Sequence, residues 1–320
     1  MSLPFPHGVI APMFTPFRKD GEIDLEGAAN LVRYLAGTGY VDGIFVRSGL
    51  GQMYTFTVAE TLALARAAVD AAQGSVPILV GCAGEWDGDL SRRPDPERYL
   101  EQSVYLVAEA IRMGAAGAVL VIPAALAVDG KDAAELVVEY YSRVSRATGG
   151  PIVLYQPPGT PAEYRVTPAV MRELLKLPAV KGMKLSVSTH EEFAPIADAV
   201  RGSGFALIAG AEGFFLEALK LGAVGVIGQG CNTYPEILRA VQKHYEAGNL
   251  DAAEKAQQAV NHALKVTDGY DTGVICKQML ILRGVQMEPY GRNRPEPYPA
   301  EAVSRMKAEI DRLAEPYRRM

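Results

Sequence analysis

The sequence predicts a single (β/α)₈ barrel, a TIM barrel of the α/β class, with a helical appendage at its C-terminal end. Short apolar runs rich in Val and Ile recur along the 320 residues, and each is followed by a longer segment with apolar residues at helical spacing. The runs are nearly continuous in apolar residues, which is typical of strands buried on both faces of a parallel sheet. A helix-ending Gly followed at once by such a strand is reused at 39–45, 114–120 and 222–228. Because barrels of about 250 residues commonly form one domain, these features favour one barrel over two smaller domains.

Eight strands and eight helices are expected, in alternation. The strands are predicted at residues 9–13, 43–46, 78–81, 118–122, 152–155, 180–185, 206–209 and 224–227. The helices are predicted to begin near Asp24, Thr57, Asp95, Lys131, Thr167, Thr189, Gly213 and Tyr234. Several of these starts are Asp or Thr, whose side-chain oxygens accept hydrogen bonds from the free N–H groups of a first helical turn.

The barrel is expected to occupy residues 1–248, and residues 249–320 are expected to form a C-terminal helical extension packed on it. From about residue 250 to 316, apolar residues recur at helical spacing for two or three helices. Segment 288–299 is too rich in Pro for regular structure and is predicted to be a linking loop. A doubly wound sheet would show the same alternation, but no Gly-x-Gly-x-x-Gly turn for a dinucleotide follows the first strand, so the barrel is favoured.

Composition and charge indicate what kind of molecule the protein binds. Apolar residues make up 49% of the chain and charged residues 22%, which is ordinary for a protein with a sizeable core. The net charge is -5 and no long Lys/Arg tract occurs, so neither nucleic acid nor an anionic membrane is the expected partner. Cys82, Cys231 and Cys276 are widely spaced and odd in number, which predicts neither a disulfide framework nor a zinc site. With no apolar stretch long enough for a membrane span, we expect a cytoplasmic protein that binds a small molecule.

Three polar residues lie at predicted strand ends, where barrel active sites are built: Tyr155, Lys184 and Glu212. Strand alternation puts Gly182, Lys184 and Ser186 on one face. A lysine among apolar neighbours loses its proton more easily than one in water, and the neutral amine can attack a ketone to form an imine. The alternative is that Lys184 forms a structural ion pair with a carboxylate such as Glu212. Tyr155 either passes a proton to the reacting centre or packs in the core with a single hydrogen bond.

Taken together, these residues resemble the dihydrodipicolinate synthase and N-acetylneuraminate lyase superfamily of class I aldolases, dehydratases and related lyases. The resemblance covers about residues 7 to 295. Its landmarks are Ala11-Pro-Met-Phe-Thr-Pro-Phe, Asp20-Gly-Glu-Ile-Asp, Leu154-Tyr-Gln-Pro-Pro, Gly182-Met-Lys-Leu-Ser and Gly222-Ala-Val-Gly-Val-Ile-Gly. It implies a barrel, a Schiff-base lysine at Lys184, a tyrosine at Tyr155 that assists proton transfer, no cofactor, and a homo-oligomer arranged as a dimer of dimers.

The carboxylate clamp of that family departs from its usual form here. The family reads Gly-Thr-Thr-Gly-Glu or a Ser-Thr variant after strand two, whereas this chain has Ser48-Gly-Leu-Gly-Gln and lacks the paired hydroxyls. Ser48 and the backbone amides of Gly49 and Leu50 remain candidates, because N–H groups in a turn can bind an anion without side chains. Arg47 is a further candidate for binding substrate, with a solvated arginine at the strand end as the alternative.

Other departures bear on the substrate. Where the synthases carry Pro-Tyr-Tyr after strand four, this chain has Pro123-Ala-Ala-Leu. Where they place an Arg shortly after the tyrosine of strand five to hold a dicarboxylic product, this chain has Gly159-Thr-Pro-Ala. True dihydrodipicolinate synthase activity is therefore not expected. The resemblance places Glu212 where the lyases bind substrate hydroxyls, in Ala209-Gly-Ala-Glu with Gly210, and Gln229 where the family has a Ser. Ser186, Gly210, Glu212 and Gln229 are the expected substrate-binding residues on that side.

The loop after strand three, at 84–96, is long and charged and contains the only Trp. It either covers the site or is a solvated surface loop. Its acidic residues lack the full calcium-loop spacing and the four His form no ligand pair, so no metal is expected. Two functions stay open: a Schiff-base lyase (an aldolase or dehydratase) acting on a 2-oxo acid, possibly a hydroxylated sugar acid, and a barrel that kept the lysine but only binds or senses such a molecule.

Overall fold

The computed structural model describes residue 5, residues 7–130 and residues 132–318. Eight parallel strands close into a barrel in which each strand pairs with the next along the chain and the eighth pairs with the first. The strands are β1 Gly8–Pro12, β2 Gly43–Val46, β3 Ile78–Gly81, β4 Gly117–Val121, β5 Ile152–Gln156, β6 Val180–Leu185, β7 Ala206–Ala209 and β8 Gly225–Val226. The predicted (β/α)₈ barrel is confirmed, and every predicted strand overlaps an observed one.

Helices connect the strands on the outside of the barrel. They are α1 Leu25–Gly37, α2 Val58–Ala72, α3 Pro96–Met113, α4 Ala133–Thr148, α5 Pro168–Leu174, α6 His190–Val200 and α7 Phe215–Lys220, followed after β8 by the short α8 Gly230–Thr233 and by α9 Pro235–Glu246. The side chains of Asp24, Thr57, Asp95, Thr167 and Thr189 cap their helices as predicted.

One predicted helix start lies outside the described residues, and another differs from the structure. The start near Lys131 falls on a residue outside the described part of the chain, and α4 begins at Ala133, capped by Asp132. The seventh helix was predicted from Gly213 but begins at Phe215, because Glu212–Phe214 forms a 3₁₀ turn first. That turn matters for the site, since it carries Glu212 at the mouth of the barrel.

A bulge in β6 lies at the first of the two lysines in this strand. Ile152 pairs with Val180, but Val153 pairs with Gly182, so Lys181 is passed over in the register with β5. Lys181 is exposed and Lys184 is buried. Lys184 lies between Tyr155 of β5 and Ile208 of β7, and both of these side chains belong to the apolar cluster inside the barrel.

The C-terminal extension consists of three helices, α10 Leu250–Val266, α11 Thr272–Ile281 and α12 Ala300–Ala314. α10 packs against α9 and α12, and α11 packs against α8 and α12. Segment 288–299 contains no helix, as predicted, and contacts the barrel through a bridge between Tyr290 and Phe17. Buried Lys277 of α11 donates to the carbonyl of Thr15, which joins the extension to the loop after β1.

Among the residues that the structure describes, no helix is both long and apolar enough to cross a membrane.

Candidate active site

A cavity of about 670 Å³ opens at the carboxyl ends of the strands, within the size range of small-molecule sites. It holds most of the residues predicted to act on substrate. Those that line it are Gly49, Leu50, Tyr155, Lys184, Ser186, Gly210, Glu212 and Gln229. Arg47 and Ser48, the other two candidates, do not line it.

Lys184 lies on the wall of this cavity and is only 5% exposed. Its Nζ is 4.3 Å from the centroid of the Tyr155 ring, and no ion pair joins it to a carboxylate in the described chain. Burial lowers the pKa of Lys184 to about 8, while the nearby Cys231 and Glu212 oppose the shift. At neutral pH about one-tenth of the amine is therefore unprotonated, a far larger share than for a lysine in water. The side chain is suited to attack on a ketone.

Tyr155 stands beside the lysine with its hydroxyl next to the turn that follows β2. Burial raises the pKa of Tyr155 to about 12, partly opposed by an interaction with the Ser186 hydroxyl, so the phenol stays protonated at neutral pH. A Cβ atom added at Gly49 would lie 2.9 Å from the Tyr155 hydroxyl. A side chain at position 49 would therefore crowd this phenol.

The turn after β2 offers backbone N–H groups in place of the missing hydroxyls. The Ser48 hydroxyl is fully buried, accepts from the N–H of Gly51 at 3.0 Å and donates to the carbonyl of Met13 at 3.2 Å. It holds the turn together and faces away from the cavity lining. Gly49 and Leu50 line the cavity, and neither of their N–H groups donates to another residue in the described chain. Such a pair of free N–H groups can bind a carboxylate.

Glu212 closes the opposite side of the cavity. Its carboxylate accepts from the N–H of Gly230 at 2.9 Å, at the start of α8. Burial raises the pKa of Glu212 to about 7, with the backbone N–H of Gly230 among the groups that oppose the shift. The side-chain amide of Gln229, next to it, donates to the hydroxyl of Thr267 at 3.2 Å. Both side chains line the cavity.

Gly210 is required by the packing beside Ser186. A Cβ atom at this position would come within 2.1 Å of the Ser186 Oγ. The N–H of Gly210 donates to the carbonyl of Leu185 and is therefore not free to bind a ligand. Gly210 shapes the cavity wall only because it has no side chain.

Arg47 is not solvated: it is 3% exposed and lines a second, smaller cavity. Its Nη1 donates to the carbonyls of Gly81 and Ala83, at 3.1 and 2.6 Å. The alternative of a solvated arginine is therefore wrong, because the backbone of Arg47 turns its side chain under the loop after β3. The two cavities share walls formed by Met53, Tyr54 and Tyr155.

The loop at 84–96 covers this second cavity. Trp86 packs edge-on against Tyr54, with ring centroids 5.5 Å apart, and Gly88 lies against the same tyrosine ring. Tyr54 was not among the residues predicted from the sequence to bind or act on substrate. Its position in the 3₁₀ turn Met53–Thr55, directly after the carboxylate turn, is the signal that could have identified it.

The described residues contain no cluster of three or more His, Cys, Asp or Glu side chains that could hold a metal ion.

Comparison with known proteins identifies the family. A family model described as the dihydrodipicolinate synthetase family matches residues 5–312. An uncharacterized DapA-like lyase of Thermofilum pendens is 28% identical over 312 residues, covering 96% of each chain. A 4-hydroxy-tetrahydrodipicolinate synthase of a Synechococcus strain is 29% identical over 283 residues, covering 88% of this chain and 87% of its own.

Solved structures share the fold. YagE of E. coli K12, a prophage protein of the dihydrodipicolinic acid synthase family crystallised in complex with pyruvate, superposes with a TM-score of 0.80 at 23% identity, covering 96% of this chain and 98% of its own. The match of the family model along nearly the whole sequence, with Lys184 at the mouth of a closed barrel, shows that this chain belongs to the dihydrodipicolinate synthetase family.

Proposed function

We propose that this protein is a class I lyase, an aldolase or a dehydratase, in which Lys184 forms a Schiff base with the ketone of a 2-oxo acid. The observation that carries the proposal is the state of Lys184: buried, without a carboxylate partner in the described chain, and with its pKa lowered to about 8. Family membership supports it, as do the relatives that are named lyases.

Substrate binding follows from the wall of the cavity. The free N–H groups of Gly49 and Leu50 hold the carboxylate of the 2-oxo acid, and the ketone then lies within reach of Lys184. The neutral amine attacks the ketone carbon, and loss of water from the carbinolamine gives the iminium. Tyr155, protonated at neutral pH, donates a proton to the carbinolamine oxygen as that water leaves.

The iminium draws electrons from the bond to be broken, in either retro-aldol cleavage or loss of water. Tyr155, whose ring centroid is 4.3 Å from the Lys184 Nζ, exchanges a proton with the reacting carbon. Glu212 and Gln229 hydrogen-bond hydroxyl groups further along the substrate chain, which favours a hydroxylated sugar-acid derivative. Buried Ala124 and Ala125 stand where the synthases carry tyrosines, so we do not propose dihydrodipicolinate synthesis.

The test is reductive trapping. Intact-protein mass is measured after incubation with pyruvate and borohydride, and the adduct is mapped by peptide analysis. We expect one adduct on Lys184, none in Lys184→Ala, and full labelling of Lys181→Ala, whose lysine lies on the same strand but is exposed.

Labelling that persists in Lys184→Ala would contradict the mechanism. An adduct on Lys184 that never turns over, with any of a panel of 2-oxo-3-deoxy sugar acids, would instead favour the second candidate, a barrel that binds or senses a 2-oxo acid. The observation behind that candidate is the clamp turn, which carries no hydroxyl directed at the cavity.

A further inference from the structure

The second cavity is small, is lined mainly by apolar and aromatic side chains, and has one cation in its wall. It lies at the top of the barrel under Trp86, and its walls include Arg47, Met53, Tyr54, Tyr99 and Tyr155. The cavity has a volume of about 20 Å³, which is room for one small group and not for a sugar chain. None of the residues that line it is an Asp or a Glu.

The guanidinium of Arg47 is only partly satisfied by the protein. Two carbonyls accept from Nη1, but the buried Nε has no hydrogen-bond partner in the described chain. No carboxylate of the described residues forms an ion pair with Arg47. The one carboxylate among the groups that oppose the lowering of the Arg47 pKa is Glu85, which accepts from the N–H of Val58 at 2.7 Å and faces Arg98 at 3.6 Å.

A buried cation without an anion is unfavourable, because burial removes the hydration that stabilises the charge. An anion in the cavity would restore that stabilisation and give Nε an acceptor. The planar donors of a guanidinium suit a carboxylate. Arg47 also has a left-handed backbone, with φ of 50°, a conformation that is costly for a residue other than glycine. Such strain is typical of functional positions.

The position of the cavity connects it to the lysine. Met53, Tyr54 and Tyr155 are walls of both cavities, so the cavities adjoin, and a path from Lys184 to Arg47 would pass these side chains. The hydroxyl of Tyr54 is a further donor on this path, since burial and the neighbouring Tyr155 raise the pKa of Tyr54 to about 12 and keep it protonated.

We propose that Arg47 forms a carboxylate-binding subsite, which takes the second carboxylate of a dicarboxylic 2-oxo acid held at Lys184. The part concerning the 2-oxo acid rests on the proposed function, whereas carboxylate binding at Arg47 does not. A small free carboxylate would satisfy the same guanidinium, and the experiment separates these two sources.

The first arm uses Trp86, the only tryptophan of the chain, as a reporter inside the cavity. Its fluorescence is titrated with acetate and with acetamide, a neutral molecule of the same shape, at constant ionic strength. We expect a saturable change with acetate and none with acetamide. The change should be absent in Arg47→Met and retained in Arg98→Met, which removes an exposed cation near the same loop.

The second arm compares 2-oxoglutarate with 2-oxopentanoate, which has the same chain length but ends in a methyl group. Borohydride trapping on Lys184 gives the concentration for half-maximal labelling. We expect this concentration to be at least about tenfold lower for 2-oxoglutarate, because a hydrogen bond between charged groups strengthens binding by a factor of that size. In Arg47→Met the ratio should fall close to one, and in Arg98→Met it should not change.

Each result of the two arms leads to a different conclusion about the subsite and the proposed function. An acetate response without a preference for 2-oxoglutarate keeps the carboxylate subsite and assigns it to a free carboxylate. Wild-type protein with neither response overturns the inference, and this result does not depend on any variant folding. A folded Arg47→Met that still responds to acetate overturns it as well. If no 2-oxo acid labels Lys184, the proposed function fails while the acetate titration still decides the subsite.

Discussion

Replacing Lys184 by methionine should abolish the adduct and, at the same time, stabilise the fold. The two side chains have similar length, so the change removes the charge and leaves the packing nearly intact. Burial lowers the pKa of Lys184 from 10.5 to about 8, which corresponds to roughly 3 kcal/mol of unfavourable free energy for the charged form in the folded state. The variant also loses the contact of Nζ with the Tyr155 ring, worth about 0.5–2 kcal/mol. We therefore expect a net gain of about 1–3 kcal/mol at pH 7.

The sign follows from proton binding. Between pH 8 and 10.5 the folded wild type binds fewer protons at this lysine than the unfolded chain, so its free energy of unfolding rises with pH in this window. Lys184→Met lacks this dependence. Its advantage should be complete below about pH 8 and should disappear as the pH approaches 10.5.

Thermal unfolding at pH 6, 7, 9 and 10 measures this difference, and in a chain of 320 residues a gain of 1 kcal/mol corresponds to a rise in Tm of roughly 1–2 °C. Lys181→Met is the matched control, since it removes an exposed charge from the same strand and should change the free energy of unfolding by less than about 0.5 kcal/mol. A variant Lys184→Met that is less stable than wild type at pH 7 would refute the reasoning, because it would show that the lysine is charged and well compensated in the fold.

Three further predictions concern catalysis. Tyr155→Phe should slow imine formation with pyruvate about a hundredfold, as expected for loss of a general acid, while the equilibrium extent of labelling changes much less; equal losses in both would assign Tyr155 to binding. Gly49→Ala should lower the imine-formation rate at least about tenfold, because its Cβ would lie 2.9 Å from the Tyr155 hydroxyl. Gly37→Ala, a helical position with nothing near the added Cβ, is its control and should leave the rate unchanged. The rate in wild type should rise with pH and level off above about pH 9, because about half of Lys184 is neutral at pH 8 and nearly all of it one pH unit higher; a rate still rising at pH 10 would contradict the lowered pKa.

The repeating pattern of the sequence predicted parallel strands alternating with helices, because buried parallel strands must be apolar and each must be followed by a covering helix. The missing dinucleotide-binding turn after the first strand then favoured a barrel over a doubly wound sheet. The same pattern located Tyr155, Lys184 and Glu212 at strand ends, and these residues do line one cavity. Their roles stay predictions until the adduct is mapped.

The backbone geometry of two segments could not be predicted from the sequence pattern. Helical periodicity could not show that Glu212–Phe214 forms a 3₁₀ turn before α7. Alternation could not place the bulge at Lys181, because a bulge depends on pairing with β5, which lies far away in the sequence.

The sequence by itself determined the number and order of the strands, the tyrosine at the end of β5, the lysine at the end of β6, and the loss of clamp hydroxyls after β2. Only the tertiary structure decided where Arg47 and Ser48 point and that Trp86 covers a second cavity. The reason is that burial and hydrogen bonding of these side chains depend on partners from other strands and loops, such as Gly81 for Arg47 and Met13 for Ser48. Residue type and spacing set which contacts a chain can make, but closure of the barrel selects the ones that form.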